Sequence, residues 1–344
     1  MRKKQKAAKA GLLVTSCIGM ILSGCGADAG TSEDAQVPEP IVYEVGTDAE
    51  VKGTSEESEP DKAVTNETEE ESPAQADATG LYEQFLSNSA SVTISSDCPL
   101  EDYMTPIFEA GDSFTLTELG DCVSGYYLNP EYTDKKSYDE VQYAYVPCPD
   151  SADEQNLLVK FVGLNIYSPD DESYAVFVIT QDNGQLYISY LYECWARSAT
   201  MAHANGLLSE YGSHGAGAHS VGLSAMLANG KNTRIYGAEV LMGTWTSSVN
   251  ETIYHEVFDE NTITNLTVSI YHIGDNEYYW YDMSDCDEDD KERCETYISR
   301  CREEAGISFV TQEEIQALIK ARCQEIGVDY SLTEQEQEAV WQKL

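Results

Sequence analysis

The sequence predicts an α+β fold: N-terminal helices, a meandering and mainly antiparallel sheet built from hairpins, and a C-terminal helical subdomain. Three observations carry this. Runs rich in β-branched and aromatic residues are separated by short Asn-Gly or Gly-Asp turns. Segments with helical spacing and capping signals flank those runs on both sides. The helices are not interleaved with the strands, as a parallel βαβ sheet would require. That also argues against a periplasmic-type solute-binding protein, which alternates strands with helices.

The N-terminal side opens with "LYEQFLSNSASV", where Leu81, Phe85 and Leu86 fall at helical spacing. "FTLTELGDCVSGYYL" follows, with Thr115 or Thr117 as cap and Leu119, Val123 and Tyr126 or Tyr127 on one face. The β pattern then begins at "VQYAYVPC" (Val141 to Cys148) and continues through "NLLVKFVGLNIY" and "SYAVFVITQ". Asn183-Gly184 leads into "QLYISYLYECWA". Asn229-Gly230 separates "GLSAMLA" from "TRIYGAEVLM", and Gly274-Asp275-Asn276 separates "TNLTVSIYHI" from "EYYWYDM". The C-terminal side reads as three helices. The first, 288–305, starts among acids that suit a helix N-terminus and stops at Gly306. The second, 312–326, has a Thr311/Glu314 capping box and a Gly327 stop. The third is signalled by Thr333 with Glu336.

Upstream of the domain the chain changes character. Arg2, Lys3, Lys4, Lys6 and Lys9 precede a short apolar run, Gly11 to Leu22. That run is well short of the roughly 20 residues a membrane-spanning helix needs, so residues 1–24 read as an export signal. Leu22-Ser23-Gly24-Cys25 resembles a bacterial lipobox, which implies lipidation of Cys25 and a membrane partner through its acyl chains. An ordinary signal peptide with an unrelated cysteine is the alternative. Residues 25–80 read as a disordered acidic tether: from Gly26 to Gly80 there are 16 Asp and Glu against Lys52 and Lys62, with too little apolar surface to offset chain entropy. As a coil it reaches roughly 40 Å. The expected division is therefore 1–24, 25–80, an α+β domain over 81–284 and the helical subdomain over 285–344.

Composition excludes one class of partner. A net charge of −41, with 61 acidic against 20 basic side chains, offers no basic patch for nucleic-acid phosphates. Eight cysteines remain after Cys17 and Cys25. An even number in an exported chain permits disulfides. Cys294 and Cys301 lie about 10 Å apart along one helix and cannot join. Folding 288–305 back on 312–326 as a helical hairpin would set Cys294 opposite Cys323, the favoured pair; Cys98 with Cys122 is a weaker one. No C-x-x-C spacing supports zinc at these cysteines.

Candidate chemistry concentrates in "ECWARSATMAHANGLLSEYGSHGAGAHS" (Glu193 to Ser220). His203, His214 and His219 are candidate metal ligands if loops bring them together; polar histidines on turns and sheet edges are the bland reading. Cys194 with one of those histidines would be a candidate nucleophile, against a buried strand cysteine. No G-x-S-x-G, S-x-x-K, H-E-x-x-H or phosphate-loop pattern is present. "DCDEDD" (Asp285 to Asp290) lacks the glycine and the final glutamate of a calcium loop. Tyr278, Trp280 and their neighbours leave aromatic surface for a glycan or peptide ligand.

"YAYVPC" (Tyr143 to Cys148), "QLYISYLYECWARS" (Gln185 to Ser198) and "NGLLSEYGSHGAGAHS" (Asn205 to Ser220) together resemble a family of uncharacterised cell-surface lipoproteins of gut clostridia. Arg197, Ser198, Gly212, Ser213, Gly215 and Ala216 match its motifs, while Cys148 to Glu154 replaces its Asp-Gly loop. The resemblance implies a membrane-anchored, outward-facing protein of a Gram-positive cell and no particular activity. Two functions are thus expected: a lipid-anchored extracellular binding module, or a cell-surface hydrolase using a metal or Cys194 near the histidine loop.

Overall fold

The computed structural model describes residues 75–100, 107–166, 173–258, 264–335 and 337–344. The expected export signal, Cys25 and nearly all of the expected tether lie outside them, as does Glu336 of the third capping signal. The fold is α+β, with two mostly antiparallel sheets and helices at both ends. Among the described residues no helix is long and apolar enough to cross a membrane.

Helix α1 (Gln75–Leu86) starts within the segment expected to be tether. Strand β1 (Val92–Ile94) and β2 (Ser113–Phe114) follow. Helix α2 (Leu116–Tyr127) is opened by the capping box of Thr115 with Glu118 and buries Leu119, Val123 and Tyr127. Four long strands come next: β3 (Glu140–Cys148), β4 (Ser151–Leu164), β5 (Ser173–Asp182) and β6 (Gln185–Cys194). The β5–β6 hairpin turns on Asn183 and Gly184, with φ of 48° and 75°, the pair of positive angles that an Asn-Gly turn supplies.

Strands β7 (Ser198–Ala202), β8 (Leu207–Gly215), β9 (Ala218–Met226) and β10 (Asn232–Met242) begin the second sheet. Helix α3 (Glu251–Val257), β11 (Thr267–Ile273) and β12 (Asn276–Asp282) continue it. Helices α4 (Glu288–Glu304) and α5 (Gln312–Glu325) follow, α5 with its Thr311/Glu314 box in place. The last strand is β13 (Gln342–Lys343).

Sheet A runs β13-β3-β4-β5-β6-β1-β2 and sheet B runs β12-β11-β10-β9-β8-β7; β1 alone pairs in parallel, with β6. Period-two alternation sends Leu157, Val159, Phe161, Phe177 and Ile179 to one face of sheet A, under Phe85, Leu119 and Val123 of α1 and α2. Leu158, Val176, Val178 and Cys194 go to the other, where they meet Ala202, Leu208 and Met226 of sheet B. The opposite face of sheet B, with Leu207, Leu223 and Ala225, carries Cys323 and Ile319 of α5. The layers are helices, sheet A, sheet B, helix.

Two expectations are corrected. The third C-terminal helix does not form. Residues Tyr330–Glu334 make a 3₁₀ turn, and the chain then extends. Ala204 and Ala339 donate backbone hydrogen bonds to Gln337 and Ala202 at 2.8 and 2.9 Å, and β13 pairs with β3. The reason is an open edge: β3 offers unpaired backbone groups, and an extended tail lets Ala339 and Trp341 reach the inter-sheet core together. The Cys294–Cys323 pair is also not brought together. The two helices bury different faces against different partners, Cys294 in a cluster with α3 and β11 and Cys323 in the one over β8 and β9, so their sulfurs are not joined.

Two glycines test the packing in opposite directions. Gly206 has φ +82°, and a Cβ there would lie 2.1 Å from the Pro147 carbonyl oxygen. Gly206→Ala is expected to destabilise by about 2 kcal/mol or more. Gly125, exposed in α2 with nothing near its Cβ position, should gain about 0.5–1 kcal/mol as alanine. Urea denaturation of the two variants checks both signs.

Candidate functional site

The three histidines are placed apart by the geometry of the sheet. His203 is buried at the β7–β8 turn, its Nε2 2.5 Å from Ser209 Oγ. His219 pairs across the hairpin with Ser213, so those side chains share a face; its Nδ1 is 3.3 Å from the Tyr211 hydroxyl. Ser220 pairs with Gly212 and points the other way, and His214 lies 3.3 Å from Ser220 Oγ. His214 and His219 therefore lie on opposite faces of one hairpin. Burial, and secondarily the charge of His214, lowers the pKa of His219. No group of three His, Cys, Asp or Glu among the described residues is arranged to hold a metal ion.

The polar groups against Cys194 are the Thr200 backbone and the Tyr174 hydroxyl. Its sulfur accepts from the Thr200 amide at 3.1 Å and faces the Thr200 carbonyl at 3.4 Å. Burial raises its pKa, against the lowering effect of the Tyr174 hydroxyl and the more distant charge of Lys160. A thiol whose pKa burial raises is a poor nucleophile.

The stretch that drew attention in the sequence is mostly strand. Its Gly/Ala loop narrows to Ala216-Gly217 between β8 and β9. The glycines have a steric reason: a Cβ on Gly217 would lie 2.5 Å from Trp245 Cδ1, and one on Gly215 would lie 3.1 Å from its ring. The half-exposed indole of Trp245 lies against this turn.

A groove of about 480 Å³ opens elsewhere, between the β11–β12 turn, Arg234 of β10 and the outer side of α5. Gly274 with φ +59° makes the two-residue turn that holds Asp275 and Asn276 at its rim. Tyr278 lines one wall, and Leu318, Ala321, Arg322 and Glu325 line the other. These four recur at helical spacing, 318, 321, 322 and 325, which places them on one stripe of α5. Arg322 is largely covered; its Nη1 is 2.8 Å from Glu325 Oε2, and its Nε donates to the Arg234 carbonyl at 3.2 Å. Arg234 reaches Glu210 at 3.1 Å. His272 completes the polar lining. The groove thus presents planar donors, carboxylate acceptors, an amide and an aromatic ring, with its arginine charges already balanced by glutamates.

Only Tyr278 and the Gly274-Asp275-Asn276 turn of this groove stood out in the sequence. Arg234 comes from β10 and Arg322 and Glu325 from α5, about 90 residues later, and nothing local marks them. Comparison with protein-family models, with curated proteins and with solved structures found no match.

Two outcomes follow from these environments. Burial pushes the thiols of Cys98 and Cys148 up to about 12, against about 9 in an unfolded chain. A raised thiol pKa favours the folded state fully below pH 9. Between pH 9 and pH 12 the unfolded chain ionises first, and that stability is lost. Urea midpoints are expected to fall steeply across this window, and less so in a Cys98→Ala, Cys148→Ala variant relative to its own value at pH 7. Zinc in excess is expected to leave the melting temperature unchanged; an upward shift of several degrees would reveal a bound ion.

Proposed function

We propose that this chain is a lipid-anchored extracellular binding module whose groove beside α5 takes a hydroxyl-rich ligand, a glycan. The observation that carries the reading is the lining. Arginine donors, Glu and Asp acceptors and Asn276 converge around the ring of Tyr278 in an open groove of about 480 Å³. Sugar hydroxyls need donors and acceptors side by side, and a pyranose face packs on an aromatic ring. Because the arginines are matched by Glu210 and Glu325, the groove favours a neutral polyol over an anion. The volume falls within the range usual for small-ligand sites.

The anchor rests on the lipobox-like Leu22-Ser23-Gly24-Cys25 and the acidic stretch that follows. That stretch carries the domain's charge away from an anionic membrane surface. The motif resemblance at Arg197-Ser198 and Gly212 to Ala216, taken from the sequence alone, implies the same address.

The test is retention on an array of extracellular glycans, followed by titration of the retained sugar. Tyr278→Ala is expected to weaken binding about tenfold, the scale of one lost stacking contact. Glu325→Gln, exposed and conservative in shape, should weaken it several-fold while leaving the melting temperature unchanged. Trp245→Ala, after β10 and packed against the distant β8–β9 turn, should have no effect. Absence of any retained glycan, or binding that survives Tyr278→Ala and is lost in Trp245→Ala, would overturn the proposal.

A further inference from the structure

The sulfurs of Cys286 and Cys294 lie 3.8 Å apart, the one sulfur–sulfur contact among the described cysteines. Cys286 sits in the turn that ends β12, where its amide donates to the Met283 carbonyl at 3.2 Å. Cys294 faces it from the second turn of α4, and Asp287 between them caps that helix through the Asp290 amide. Thr264 lies against the pair, its Oγ1 3.2 Å from the Cys294 sulfur. All three side chains are buried. Cys301 does not compete for Cys294: it lies about 10 Å further along the same helix, beside the Tyr297 hydroxyl.

We propose that Cys286 and Cys294 form a disulfide in the exported protein, fastening the end of β12 to the start of α4. From 3.8 Å the sulfurs need to approach by less than 2 Å to reach a bond of about 2.05 Å. That distance lies within a side-chain rotation, whereas Cys323 sits in another core. The oxidant is an external disulfide, of the glutathione type or on an exported thiol oxidoreductase. One cysteine thiolate attacks it and expels a thiol, leaving a mixed disulfide. The second cysteine then attacks the cysteine sulfur of that mixed disulfide. The Cys286–Cys294 bond forms, a second thiol leaves, and two electrons and two protons have passed to the external disulfide. Because both sulfurs are buried in the folded state, the exchange belongs to folding, before the α3–α4 core closes.

The full-length chain, exported from its host or refolded with oxidised and reduced glutathione, is alkylated, digested with trypsin without reduction and mapped by mass spectrometry. Trypsin cuts after Lys291 and Arg293, so the two cysteines leave in separate peptides. A linked pair, two hydrogens lighter than the sum of the free peptides, is the expected result. Cys286→Ser and Cys294→Ser should each lower the melting temperature by about 5 °C or more, and a reductant should remove most of the difference from the unsubstituted chain. Full alkylation of both residues in the oxidised protein, or linkage of Cys294 to Cys323 or Cys301, would overturn the proposal.

Discussion

Burial of sheet A on both faces is the constraint from which the rest of the molecule follows. An antiparallel sheet normally keeps one face for water, but β4 and β5 carry apolar side chains in both directions. Leu157 and Leu158, Val176 and Phe177, Val178 and Ile179 are all at most 1% exposed. Each such side chain contributes about 1.5–3 kcal/mol only if it is covered, so sheet A needs a layer on each side. Helices α1 and α2 supply one and sheet B supplies the other. The close approach of the two sheets in turn excludes a side chain at Gly206, directly beneath the Pro147 carbonyl.

Lys160 is the exception that shows what the C-terminal tail does. It sits in β4 on the face that otherwise carries Leu158 and Val176. Burial lowers its pKa, with Glu338 the foremost opposing charge. Its ammonium lies 4.1 Å from the centre of the Trp341 ring and 5.0 Å from that of Tyr174. A partly desolvated cation over two rings gains about 1–2 kcal/mol, which offsets part of the burial cost. Trp341 can reach Lys160 because the tail is extended. The same tail bonds to β7 of sheet B at Ala339 and to β3 of sheet A at Gln342 and Lys343. The tail therefore clasps the two sheets at one edge and covers the exposed backbone of β3. A helix there would have taken the Trp341 ring away from Lys160 and left only Tyr174.

What the sequence revealed and what it hid divide along the line between local and distant contacts. The Asn183-Gly184 turn, the Thr115 and Thr311 capping boxes and the Gly306 and Gly327 stops are set by backbone angles and hydrogen bonds within a few residues, and each was readable. The third C-terminal helix was misread because its Thr333/Glu336 signal is local, while the edge of β3 that captures the chain lies about 200 residues earlier. Strands β7 and β8 were hidden for a different reason. Their small and polar residues, such as Ser209 and Gly212, give almost no alternation, and pairing with β9 decides their conformation. The histidines were conspicuous by type. The sheet's period of two sends two of them to opposite faces, which residue type does not encode. The groove was hidden because Arg234, Tyr278 and Arg322 meet only after β10, β12 and α5 have packed.

The layer order also fixes what each end of the molecule is free to do. Helix α1, where the described chain begins, lies on the outer face of sheet A. Helix α5, which forms one wall of the groove, lies on the outer face of sheet B. Two sheets therefore stand between the point where the acidic N-terminal segment joins the domain and the groove. Sheet spacing alone is about 10 Å per layer, so a chain held at its N-terminus presents the groove on the far side of the domain. The charge distribution acts in the same sense. The arginines of the groove are neutralised locally by Glu210 and Glu325, so the strongly acidic remainder of the chain sets its long-range field. The recognition proposed for the groove rests on short-range hydrogen bonds and ring contact, which survive at physiological ionic strength where long-range attraction does not.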